Sequence, residues 1–206
     1  FPVLAVSFAG ICSQYNIGFL NYFNIPIWIA LILAFLLLDL GIWFQHLLFH
    51  HISFLWRFHK IHHSDEEVDF TTGVRFHPLE IIISMIYKLI LIAVIGPPVA
   101  LVIIFEIVLN ASSIFNHGNI KISKSFDIAL RILIVTPNMH RIHHSEEEKE
   151  TNSNYGFNLS VWDKLFGTYN KRSKKRDNII IGLKELNNKN KSLFFLIFSP
   201  FKISKD

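Results

Sequence analysis

The chain has 206 residues and a single cysteine, Cys12. That excludes an internal disulfide framework and a thiolate metal centre. No Lys or Arg precedes Arg57, and residue 1 is Phe. An apolar start without a basic segment does not read as a signal peptide, so the natural chain is expected to begin earlier. No glycine-rich flavin or dinucleotide fingerprint occurs, so any electrons must come from another protein. The net charge of +4 does not indicate nucleic-acid binding. The basic residues flank apolar stretches and form no separate basic domain.

What the chain has in excess is apolar sequence and histidine. It is 51% hydrophobic, with mean hydropathy +0.37. That is too apolar for an ordinary soluble domain, and the length suits one domain. The run Pro26–Phe44 is broken only by Asp39. A longer run, Leu79–Phe115, is interrupted by Gly96-Pro97-Pro98, where proline disfavours continued helix. The pattern predicts spans at about 26–45, 79–96 and 97–115, the last two as a hairpin. Residues 1–13 read either as the tail of a further membrane helix or as a re-entrant piece. Phe126–Val135 reads as a short interfacial helix. Residues 1–170 are taken as one domain and 171–206 as a basic polar tail, with Leu193–Phe198 too short to cross a bilayer.

Of eleven histidines, eight fall in three clusters: His46/His50, His59/His62/His63 and His140/His143/His144. Positions i, i+3 and i+4 share a helix face, so each cluster is expected to aim its imidazoles at one place. Eight imidazoles exceed the needs of one ion, which points to a two-metal site built almost wholly from histidine. The first span ends at the first cluster, and the hairpin leaves from and returns to that side. All the clusters therefore fall on one face of the membrane. Nearly all the basic residues share that face, so it is expected to be cytosolic. The fold class is an all-α membrane bundle with a cytosolic histidine-rich helical cap.

Other residues invite roles. His77 and His117 sit at interface depth on the metal side, and a nearby dimetal site makes both candidate ligands. His51 points away from His50 on a helix and is read as structural or supporting. Asp39, inside a span, is either a support for the metal site or a hydrogen-bonding partner of a neighbouring helix. Glu80 is placed to orient His77, while Glu106 and Lys88 lie inside the hairpin. Ser64/Glu67 and Ser145/Glu148 have capping-box spacing, so a helix is expected to start after each histidine pair. The segment Trp162-Asp163…Phe166-Gly167 reads as a packing and turn element closing the cap.

Several stretches carry a family resemblance. They are Asp39 seven residues before His46, Leu55-Trp-Arg-Phe-His-Lys-Ile-His-His-Ser64, Arg75-Phe-His-Pro-Leu-Glu80 and Phe115-Asn-His-Gly-Asn-Ile120. Pro137-Asn-Met-His-Arg-Ile-His-His-Ser145, Asn154-Tyr-Gly156 and Trp162-Asp-Lys-Leu-Phe-Gly-Thr168 complete the set. Over about residues 25–170 the chain resembles bacterial-type members of the fatty acid hydroxylase / sterol desaturase superfamily of membrane di-iron oxygenases. The resemblance implies two iron ions, with zinc able to replace them on purification, and O2 as co-substrate. It carries over His46, His50, His59, His62, His63, His140, His143 and His144 as ligands, with more from the regions of His117 and His77. It implies hydroxylation or desaturation of a lipid C–H bond, on a fatty acyl, sterol-like, carotenoid or ether lipid. The expected electron donor is a ferredoxin, a cytochrome b5-like protein or a reductase, and the expected place is the inner membrane of a bacterium. Leu47 departs from a common arginine and Trp43 from a common tyrosine.

Two rival classes remain. A metal transporter needs polar residues through the bilayer, whereas these histidines lie at one end. A haem cytochrome needs isolated histidines at matched depths, which tight clusters do not supply.

Overall fold

The computed structural model describes residues 2–23, 25–175, 178–186 and 192–202. The order is α1 (Pro2–Gln14), α2 (Phe19–Tyr22), α3 (Ile27–His51), α4 (Ser53–His59), α5 (Pro78–Ile95) and α6 (Val99–Asn116). Then come α7 (Lys124–Leu130), α8 (Pro137–His143), α9 (Glu148–Thr151), α10 (Val161–Leu165) and α11 (Leu193–Phe198). Three 3-10 turns lie at His62–Ser64, Thr72–Val74 and Ser199–Phe201. Among the described residues no strand forms, only two isolated bridges.

Among the described residues, four segments are long and apolar enough to cross a membrane: Pro2–Tyr22, Ile27–His51, Pro78–Ile95 and Val99–Asn116. The first adds a fourth candidate span to the three expected, with Pro2–Gln14 helical. Their outward faces are apolar, as spans require, while Asp39 and Glu106 are buried and Lys88 pairs with Glu106. Ala5, Ala9 and Cys12 of α1 pack with Ala34 and Leu38 of α3 and with Ile92, Val102 and Phe105 of the hairpin. Small residues let these backbones approach closely. Ile32, Ile86, Ile90, Ile104 and Ile107 stay exposed on the outside, where hydrocarbon would cover them.

The hairpin turns at Gly96, which caps α5 in a left-handed conformation (φ 67°). A Cβ on Gly18 would stand 2.3 Å from the Gly96 nitrogen. This contact between glycines brings the α1–α2 turn against the hairpin tip.

Three expectations change. Neither serine starts a helix: Ser64 Oγ donates back to the Ile61 carbonyl, and α9 begins from Glu147. The first histidine pair leads into irregular chain, and the second into the short helix α9, capped at Glu147 and not at Ser145. The interfacial helix stops at Leu130 rather than Val135. Thr136 must be extended before Pro137, and it caps α8 by accepting from the Met139 N–H at 3.2 Å. Ser173, Lys174 and Gly182, from the expected tail, are tied to the cap. Glu150 accepts from Ser173 Oγ (2.9 Å) and from the Lys174 N–H (2.8 Å), and the Gly182 N–H donates to the His144 carbonyl at 3.0 Å.

Candidate metal centre

Nine histidines converge in two groups at one end of the bundle. His46, His50, His59, His63 and His143 form one, and His62, His117, His140 and His144 the other. Within each, one ring nitrogen per residue lies within 4.8 Å of all the others. Each group therefore offers a single point around which several lone pairs meet.

The HxxHH repeats do not serve one point each, as expected, but straddle two. Residues i and i+4 are close in angle around a helix, whereas neighbours differ by about 100°. His59 and His63 thus go to the first group and His62 to the second. His140 and His144 go to the second and His143 to the first. The rings of His62 and His63 stand at 89°, and those of His143 and His144 at 86°. The two groups adjoin, with His63 stacked on His144 at 4.3 Å between ring centroids.

The second nitrogen of most rings is held by the surrounding chain. His46 Nδ1 meets the Tyr155 carbonyl at 2.8 Å, His143 Nδ1 the Ser153 carbonyl at 2.7 Å and His117 Nδ1 the Ser113 carbonyl at 2.7 Å. His62 Nδ1 faces the Arg75 carbonyl at 3.3 Å, and His59 Nδ1 lies 2.6 Å from Glu80 Oε1. A carbonyl or carboxylate can only accept, so these Nδ1 atoms carry the proton. Their Nε2 lone pairs are left to ligate, which is how partners beyond the ligands fix tautomer and aim at metal sites.

In the second group, Nε2 of His117 lies 3.1 Å from that of His62, 3.2 Å from that of His144 and 3.0 Å from that of His140. In the first, the Nε2 atoms of His50 and His143 and both nitrogens of His63 are buried without a partner. Unpartnered buried polar atoms are costly. A cation at each point would remove that cost, and an all-imidazole set suits iron, zinc or copper. The donor set therefore fits a pair of transition-metal ions.

Burial keeps the rings neutral. The pKa of His117 is pushed down to about 4 and that of His143 to about 3, mainly because the charged form is desolvated. Burial, followed by repulsion between neighbouring rings, pushes His62, His63, His140 and His144 well below the ordinary histidine value. Neutral imidazole is the ligating form.

Two buried carboxylates lock the cap onto the bundle. Asp39 accepts from Asn158 Nδ2 (2.8 Å), Trp162 Nε1 (2.8 Å) and the Leu159 N–H (3.3 Å). Asp39 touches no metal-site histidine ring in these contacts; it holds the cap segment, which was one of its two readings. Asp163 accepts from Trp43 Nε1, the Tyr155 and Gly156 N–H groups and Thr168 Oγ1, at 2.7–3.0 Å. Tyr155 is thereby fixed, and its carbonyl aims His46.

His77 lies outside both groups. Its Nδ1 caps α5 by accepting from the Leu79 N–H at 3.2 Å, and its Nε2 faces the Ile197 carbonyl at 3.1 Å. Glu80, expected beside His77, partners His59 instead. Both ring nitrogens of His77 are engaged in these contacts, so it caps α5 and does not join the metal site. His51 also lies outside, with Nε2 3.0 Å from the Tyr155 hydroxyl. Gly73 packs behind His117: a Cβ there would meet His117 Nδ1 at 3.1 Å. The carbonyls of Arg75, Ser113, Ser153 and Tyr155 had no signal in the sequence, because every residue has one. Only the Asn154-Tyr-Gly156 run marked their neighbourhood.

A cavity of about 350 Å³ reaches this site from between α3, α5 and α6. Ile42, Phe49, Ile81, Met85, Leu109 and Phe157 line it, and His46 and His59 stand at its metal end. On the cap, a groove of about 1180 Å³ carries Lys121, Lys124, Arg141, Lys171 and Arg172.

A family model described as "Fatty acid hydroxylase" matches residues 31–168. Ornithine lipid hydroxylase OlsE of Rhizobium tropici is 30% identical over 144 residues, which are 70% of this chain and 43% of that protein. Alkylglycerol monooxygenase of Homo sapiens is 30% identical over 155 residues, 73% of this chain and 32% of that protein. A very-long-chain aldehyde decarbonylase, GL1-5 of Oryza sativa subsp. indica, is 28% identical over 73% of this chain and 26% of its own length. The chain thus spans less than half the length of these curated relatives. No solved structure matches it.

Proposed function

The chain belongs to the fatty acid hydroxylase family, and from that premise we propose that it is a membrane di-iron oxidoreductase that uses O2 to oxidise a C–H bond of a lipid. The observation that carries this reading is the position of nine imidazoles, in groups of five and four, at the end of an apolar cavity. Bound iron supplies reductive O2 activation, chemistry no side chain here can perform. The two groups would hold two irons through the Nε2 atoms left available by the Nδ1 partners. Zinc suits the same nitrogens and is a plausible replacement in purified protein.

The chain's own contribution is placement. Ile42, Phe49, Met85 and Leu109 take a lipid chain out of hydrocarbon into a cavity of like polarity. His46 and His59 mark where its reacting carbon stops. Burial of the site excludes bulk water, which protects a reactive centre. Hydroxylation or desaturation of fatty acyl, sterol-like, carotenoid or ether lipids all use this arrangement. The named relatives that act on an ornithine lipid and on alkylglycerols favour polar lipids.

The ligand histidines sit at one end of the spans and not along them. That favours a fixed site over a metal-transport path, and crowded rings favour separate ions over haem. The histidine face is assigned to the cytosol, and in a bacterium the membrane is the inner one. The basic groove on the cap suits an acidic electron donor, such as a ferredoxin, a cytochrome b5-like protein or the acidic face of a reductase.

The test is turnover. Iron-loaded protein, a reducing system, isotopically labelled O2 and a membrane lipid extract should yield a lipid carrying labelled oxygen or a new double bond. The His143→Ala variant should yield neither. Unchanged lipids with fully iron-loaded protein across an extract, alkylglycerols and fatty acids would contradict the reading.

A further inference from the structure

The walls of the apolar cavity carry a polar stripe of which only Glu80, through His59, serves the metal site. On α5, Glu80, Ser84 and Lys88 recur every four residues and so share one face. Across the cavity, Glu106 and Asn110 stand on α6, and Gln45 comes from α3. Lys88 Nζ lies 2.6 Å from Glu106 Oε1, and Gln45 Nε2 donates to Ser84 Oγ at 2.6 Å. Gln45 Oε1 is buried and has no partner. An ammonium has three donors, and Glu106 uses one of them here.

The depth of the pair is unusual. Lys88 lies ten residues into α5 and Glu106 ten residues before the end of α6. Each is about 15 Å from the metal-side end of its helix, roughly the middle of a ~30 Å hydrocarbon layer. Ionisable side chains at that depth are expensive and mark functional sites. A pair serving only to join two helices gains nothing from facing a cavity, where a bound chain must pass it. An unbroken methylene chain there would leave donors and acceptors unmatched, at the cost of burying bare polar groups.

We propose that the cavity is built for a lipid with a second hydrogen-bonding group, a hydroxyl or amide within its chain, which docks at Lys88, Glu106 and Gln45 while the reacting carbon lies at His46 and His59. The rise from Glu80 to Lys88 is about 12 Å, the reach of roughly ten chain carbons. The docking group therefore sits roughly ten carbons from the reacting one. The inference rests on the lipid-oxidation reading and narrows its substrate class.

The test is binding, with zinc-loaded protein in detergent so that no turnover is needed. The two probes are 1-O-octadecylglycerol and the same molecule with one hydroxyl about ten carbons along its chain. Wild-type protein is expected to bind the hydroxylated probe about fivefold or more tightly, the scale of one buried hydrogen bond. The double variant Lys88→Met/Glu106→Leu, with its zinc content checked, should bind the two probes equally. Gln45→Leu, which removes the third docking group, should reduce the preference even if the double variant does not fold. Equal affinity of wild type for both probes, or a preference that survives the double variant, overturns the proposal but leaves a lipid site. Binding of neither probe overturns the proposal together with the lipid reading.

Discussion

Glu80 Oε1 lies 2.6 Å from His59 Nδ1, and both side chains are nearly inaccessible to water. The carboxylate accepts a hydrogen bond from Nδ1–H, which leaves the Nε2 lone pair free, 3.1 Å from His46 Nε2. An acid on α5 thus sets the tautomer of a ligand on α4.

Replacing Glu80 by Gln keeps the shape but removes the charge that supports the imidazole. Metal affinity of the five-histidine group should fall by about 10–100-fold. Competition with a chelator measures it. An unchanged chelator midpoint would mean that Glu80 is only a packing residue.

The divided HxxHH repeats make neighbouring histidines separable. His62→Ala removes one ring from the group of four, and His63→Ala one from the group of five. Both should lower metal content and abolish activity, with the loss larger in His62→Ala because only three rings remain. His51→Ala should keep its metal. Full loading of both ions in His62→Ala or His143→Ala would break the two-group assignment.

Acid should destabilise the metal-free protein. His117 and His143 have folded-state pKa values of about 4 and about 3, below the 6.5 of an exposed ring. Between those values and 6.5 the unfolded chain binds more protons, so stability rises with pH across that window and levels off above it. Melting of the metal-free protein in detergent should therefore fall steadily from pH 7 towards pH 4. A flat profile would show that the rings are not buried neutral.

Asp163 holds four donors, and its removal leaves them buried without an acceptor. Asp163→Ala should cost about 3 kcal/mol or more, the scale of several lost buried hydrogen bonds. Asp163→Asn should cost less, because one oxygen still accepts. Thermal unfolding of the metal-free variants reads both.

Legibility in the sequence tracked the kind of force involved. Long apolar runs announced α3, α5 and α6, because spanning a bilayer leaves composition as the main constraint. The spacing of His46/His50 and His140/His144 announced ligand pairs, because helical geometry is local. The assignment of His62 and His63 to different points was not legible, since it depends on what faces each side of the 3-10 turn that follows α4. His77 and His117 occupy similar interface positions, yet one caps a helix and the other joins the metal site. The difference lies in the return of α6, a contact between segments far apart in the chain. The backbone carbonyls that aim the rings leave no trace in side-chain identity. The docking of Ser173, Lys174 and Gly182 on the cap was hidden by their polar surroundings, because hydrogen bonds to Glu150 and His144, not apolar burial, fix them there.

The most direct test of the central claim is metal content and the optical spectrum of protein from iron-supplemented cells, purified anaerobically in detergent. The two histidine groups predict two irons per chain and no Soret band. One iron or none under those conditions, or a Soret band, would contradict the dimetal site.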